Sequence, residues 1–194
     1  MANKQTIALT EEQYYEIIAT IQNGFVTKGG RRVKPNDRIA TILVLEANLF
    51  MRVSDILQMR LSSIVKDGER YRLDIIEKKT KKQRSFTVPA KIYTYIQEFA
   101  ISRGLKKNDL LFDITARQVQ KHIQLVVDYL GMEGAISTHS FRKMAATEVY
   151  NQEKDIFIVK ELLQHGSVQT SERYINIRRE AVERAIANHI KLPK

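Results

Sequence analysis

Ser137-Thr138-His139-Ser140-Phe141-Arg142-Lys143-Met144-Ala145-Ala146-Thr147 says more about the fold than any other segment of the chain. It has helical character, and His139 and Arg142, three apart, fall on one face of such a helix. Thr138 or Ser137 in the capping position sets the helix's positive end near the pair. A face of that kind suits a phosphate anion. Alone, the pattern also describes a surface histidine beside a solvated arginine. The segments downstream narrow the choice. Ile158-Val159-Lys160-Glu161-Leu162-Leu163-Gln164-His165-Gly166 puts a second histidine at a helix end, with Gly166 read as the cap. Tyr174 comes nine residues after His165, within Thr170-Ser171-Glu172-Arg173-Tyr174-Ile175.

Working outward, Ala47-Asn48-Leu49-Phe50-Met51-Arg52-Val53-Ser54-Asp55-Ile56-Leu57 carries an arginine followed by an acidic residue three positions on. Glu77-Lys78-Lys79-Thr80-Lys81-Lys82-Gln83-Arg84-Ser85-Phe86-Thr87-Val88-Pro89 is a lysine-rich turn leading into a strand that ends in Val-Pro. Taken as an ordered set, these blocks resemble the catalytic domain of the tyrosine recombinases, the phage integrase family, over roughly residues 10–180. Three positions depart from the family pattern. Phe50-Met51 stands where Gly-Leu or Gly-Met often precedes the first arginine, Phe141 replaces a common Leu, and Leu-Gly-His has become Leu163-Gln164-His165.

The resemblance implies six chemical positions: Arg52, Lys79, His139, Arg142, His165 and Tyr174, with Asp55 orienting Arg52. Tyr174 is the implied nucleophile. Lys78, Lys81 and Lys82 compete with Lys79, which is preferred because it precedes the turn in register with the family's lysine.

The rest of the chain is consistent with that domain. Thr10-Glu11-Glu12-Gln13 reads as a capping box, followed by a stripe of Tyr15, Ile17, Ile18 and Ile21 that stops near Gly24. Residues 25–35 form a basic, breaker-rich loop, open to reading as a solvated connector or a phosphate-binding loop. A helix is expected from about Asn36 to Phe50, with Ile39, Ile42, Leu43 and Leu49, then a short one with Ile56, Leu57 and Leu61. Tyr71, Leu73 and Ile75 alternate with Arg72 and Asp74, which is strand periodicity. Arg84 to Val88 gives the next strand, and Lys66-Asp67-Gly68 turns a preceding one into the same sheet. Helices are expected at about 90–103, 116–130, 138–151, 155–165, 170–177 and 179–190. The fold class is therefore α+β, mostly α, with a small antiparallel sheet inserted early. The expected organisation is a tail at 1–9, a catalytic domain at 10–178, and at 179–194 an amphipathic helix that packs on its own domain or on a neighbouring protomer.

The chain of 194 residues is 43% hydrophobic, enough for one ordinary domain with a core. A net charge of +10 and a pI near 9.7 favour a polyanionic partner, of which nucleic acid is the commonest. The absence of cysteine excludes disulfides and thiolate metal sites. No apolar run reaches transmembrane length, and a soluble, cytoplasmic, bacterial or phage-encoded protein is expected. The resemblance implies double-stranded DNA as substrate, a homotetramer on DNA, and neither metal nor other cofactor. It also implies a separate N-terminal clamping domain in most members, whereas nine residues precede the first block here. Type IB topoisomerases use a similar residue set, but the hairpin and Leu-Gln-His context look more like integrases. A DNA-binding regulator that kept only the fold is disfavoured because all six positions are filled.

Overall fold

The computed structural model describes residues 6–76, 78, 79, 81 and 83–175. The expected helix at 179–190 lies outside them. Two compact units are present, Met1–Met144 and Ala145–Lys194, with one helix crossing the boundary.

In the first unit, helix α1 (Glu11–Asn23) opens on the expected box. Thr10 accepts from the Gln13 backbone, and the Gln13 side chain accepts from Thr10 N–H. It buries Ile17, Ile18 and Ile21 and stops at Gly24, whose φ is +70°. A Cβ at Gly24 would meet the Val33 carbonyl at 2.6 Å, so the close return of the chain demands glycine there. Residues 25–35 are more ordered than a plain loop. β1 (Phe25–Val26) and β2 (Arg32–Val33) pair antiparallel, and the Thr27 hydroxyl accepts from Arg31 N–H. Local hydrogen bonds that composition does not advertise close this small hairpin.

Helix α2 (Asp37–Leu49) is capped by Asn36 and is buried on most faces, including Ile39, Ile42, Leu43, Leu45 and Leu49. α3 (Val53–Ile56) follows at once. After a 3-10 turn at Leu61–Ser63, strands β3 (Ile64–Asp67), β4 (Arg70–Ile76) and β5 (Gln83–Val88) form an antiparallel sheet in sequence order. Asp67 pairs with Arg70 across a two-residue turn where Gly68 takes φ +59°. Leu73 and Val88 face the core. α4 (Ala90–Ser102) contributes Ile96 and Phe99, and α5 (Ala116–Leu130) contributes Val119, Ile123, Val126 and Val127. These side chains form one apolar cluster with Phe141 and Met144 from the start of α6 (Thr138–Glu153).

The second unit holds the rest of α6, α7 (Ile156–Leu163) and α8 (Val168–Ile175). α7 packs on α8 and buries Val159, Leu163 and Ile175. Its C-terminal cap is Gln164, at φ 51° in the left-handed region, and not Gly166 as the sequence leads one to expect. The helix ends two residues early because Gln164 and His165 N–H groups turn back to Glu161 and Lys160 carbonyls. His165 therefore lies past the helix.

Candidate active site

The site is organised by the C-terminus of α2. The last carbonyls of a helix lack intrahelical donors and carry its negative end. Here they are met by two guanidinium groups. Arg142 Nε donates to the Phe50 carbonyl at 2.8 Å. Arg84 Nη1 donates to the same oxygen at 3.2 Å, and its Nη2 to the Leu49 carbonyl at 3.2 Å. Both arginines are almost entirely buried, at 2% exposure each. Charge-assisted bonds of this kind are stronger than neutral ones. They fix the backbone immediately before Arg52, which caps α3 and whose own carbonyl accepts from Asp55 N–H. Arg142 and Arg52 are thus tied to one short segment from opposite ends of the first unit's sequence.

Phe50 itself sits at φ 52°. So both positions where this chain departs from a family glycine, Phe50 and Gln164, adopt the left-handed conformation that glycine accepts without strain. The third departure, Phe141, is wholly buried and packs edge-on against Tyr14 with ring centroids 6.0 Å apart.

His139 stands exposed at the second position of α6, while Arg142 points inward. Partial burial of the imidazole, then the charges of Arg142, Arg52 and Lys79, hold its pKa below the ordinary histidine value of 6.5. That three-way influence shows the four side chains to be electrostatic neighbours, and it favours a neutral imidazole at pH 7. The helix start differs from the expected side-chain cap. Ser137 N–H donates to the Ser140 hydroxyl and Thr138 N–H to Gln120 Oε1, while the Ser137 hydroxyl is buried with no partner among the described residues. Gln120 from α5 supplies the acceptor that Ser137 was expected to give.

Lys79 lies in the exposed turn between β4 and β5. The turn is anchored through its neighbour: Lys78 N–H donates to Asp55 Oδ1 at 2.8 Å. Asp55 is fully buried, three residues after Arg52, so it connects the hairpin to the arginine's helix. The resemblance assigns Asp55 to orienting Arg52, and the structure adds this hold on the lysine turn.

In the second unit, His165 and Tyr174 meet edge to face, with ring centroids 5.3 Å apart and planes at 77°. His165 Nδ1 lies 3.0 Å from the hydroxyl of Ser171, which is fully buried. Sequence reading alone passes over Ser171, although it stands three residues before Tyr174 on α8 and so shares its face. It passes over Arg84 and Glu46 as well. Arg84 is four residues from buried Val88 on a strand, hence on the inward face. Glu46 falls on the apolar stripe of α2, four after Ile42 and three before Leu49.

Residues 8–181 match the model of the phage integrase family. The chain belongs to that family. It is 24% identical over 193 residues to the tyrosine recombinase XerH of Helicobacter pylori, covering 94% of this chain and 52% of the relative. The fold also matches a crystal structure of XerH site-specific recombinase in a post-cleavage complex with palindromic difH substrate. There the TM-score is 0.71 at 22% identity, over 96% of this chain and 54% of the other. The catalytic domain of bacteriophage HP1 integrase matches with a TM-score of 0.65 at 18% identity, over 95% and 96% of the two chains. This chain spans about half the length of the XerH relative. Among the described residues, no helix is long and apolar enough to cross a membrane.

Proposed function

We propose that this protein is a site-specific DNA recombinase that cuts and rejoins strands through a 3′-phosphotyrosyl intermediate, with double-stranded DNA as substrate and a homotetramer as the working assembly. The observation that carries this reading is the convergence of Arg52, Lys79 and Arg142 on His139. The excess of 32 basic over 22 acidic residues supports a polyanionic substrate.

A phenol with a pKa of about 10 is a weak nucleophile at neutral pH, and an anionic diester repels it. The chain's groups answer both problems. Arg52 and Arg142 donate to the non-bridging oxygens and stabilise the added charge of the pentavalent transition state. Neutral His139 takes the Tyr174 proton as the phenolic oxygen attacks phosphorus. The bond to the 5′-oxygen breaks, and Lys79 protonates that leaving oxygen. His165 donates a hydrogen bond to the phosphate. For a neutral ring to donate from Nε2, Nδ1 must accept, so the Ser171 hydroxyl donates to it. The phosphotyrosyl bond retains the energy of the diester, and attack by a second 5′-hydroxyl reverses the step and joins new partners.

The test is incubation with nicked suicide duplexes that include the sequences flanking the coding region, followed by denaturing electrophoresis. A denaturation-resistant adduct supports the reading. Its absence from a folded, DNA-binding protein favours a regulator that kept only the fold. Relaxation of supercoiled DNA without joining of two sites favours a topoisomerase.

A further inference from the structure

The strongest unexplained feature outside the six chemical positions is Glu46. It is fully buried, and neither carboxyl oxygen has a hydrogen-bond partner among the described residues. An acid left so in a protein interior is costly. It stands one helical turn before Phe50, whose carbonyl holds Arg142 Nε. The Arg142 charge acts on it directly.

We propose that Glu46 is a positioning residue for Arg142, its buried carboxyl fixing from the protein interior where the guanidinium aims. A guanidinium held at Nε alone can still tilt about that bond. A second group on the same helix end restricts the tilt and leaves the outer edge directed to substrate. This inference rests on the recombinase reading, because the aim matters only if Arg142 binds the phosphate that reacts.

The ionisation state fits the role. Burial pushes the Glu46 carboxyl well above the ordinary carboxylate range, with the Arg142 charge and the nearby Val53 N–H offsetting only part. The Val53 N–H acts from outside hydrogen-bonding geometry. A neutral acid offers the guanidinium an acceptor without cancelling its charge, whereas a carboxylate would compete with the phosphate for it.

The experiment compares wild type, Glu46→Gln and Glu46→Leu in single-turnover adduct formation on a nicked suicide duplex, with DNA affinity and Tm measured alongside. Glu46→Met serves as the apolar variant if Glu46→Leu does not fold. The expected result is that the apolar variant melts no lower than wild type, binds DNA equally, and forms adduct about tenfold more slowly. Glu46→Gln, which keeps the shape and an acceptor oxygen, retains the rate within about twofold. A merely structural carboxyl predicts higher stability and no change in rate. An apolar variant at wild-type rate overturns the inference while leaving the recombinase reading intact, and so does Glu46→Gln as slow as the apolar variant. No adduct from wild type overturns both.

Discussion

His165 Nδ1 lies 3.0 Å from the Ser171 hydroxyl, and the same histidine meets the Tyr174 ring edge to face. One buried serine on α8 therefore sets the tautomer and orientation of the histidine beside the nucleophile. Ser171→Ala should slow adduct formation about tenfold, a loss of roughly 1.4 kcal/mol in transition-state stabilisation, with DNA affinity unchanged. Single-turnover cleavage and a binding titration check this, and a parallel loss of affinity would assign Ser171 to binding.

His139 titrates below 6.5 in the free protein, because partial burial and three cations disfavour its charged form. Its neutral state stabilises the fold above the unfolded value of about 6.5, and that contribution is lost as pH falls through the folded pKa. Lys79→Ala removes one of the depressing charges and should raise the midpoint. NMR titration of the imidazole resonances, assigned through His139→Gln, reads both. A midpoint unmoved by Lys79→Ala would separate the lysine from the site.

Gln164→Gly should stabilise the protein. The left-handed backbone at φ 51° costs a side-chain-bearing residue about 1–2 kcal/mol, part of which is offset by glycine's greater freedom when unfolded. A net gain of about 0.5–1 kcal/mol corresponds to a rise in Tm of roughly 1–4 °C in a chain of this size. Thermal unfolding decides it, and a fall in Tm would mean the Gln164 side chain makes contacts worth more than the strain.

Arg84→Leu should destabilise the first unit by about 2 kcal/mol, since the buried Leu49 carbonyl loses its guanidinium donor. It should also slow cleavage without touching DNA, because the Leu49–Arg52 backbone loses one of its two clamps. Denaturant unfolding and adduct kinetics measure the two effects.

Helices are legible in the sequence wherever caps and apolar spacing agree, as at Thr10 and in the stripe of α1, and the three-stranded sheet is legible from the alternation around Leu73. The order of chemical residues is legible because basic groups, histidines and a tyrosine can be read as a set. The hairpin at 25–35 is not, since its strands are two residues each and held by local backbone bonds. Nor do Arg84, Glu46 and Ser171 stand out. Their importance comes from long-range partners, or from which face they share, and a charged residue on an apolar stripe is the signal available. The cap at Gln164 escapes because composition favours the glycine two residues on.

The most direct measurement is to digest the protein–DNA adduct and find which peptide carries the nucleotide by mass spectrometry, with Tyr174→Phe run beside it. The expected product is a 3′-phosphonucleotide on Tyr174, with no adduct from the variant although it still binds DNA. A nucleotide on any other residue, or an adduct that survives Tyr174→Phe, would refute Tyr174 as the nucleophile.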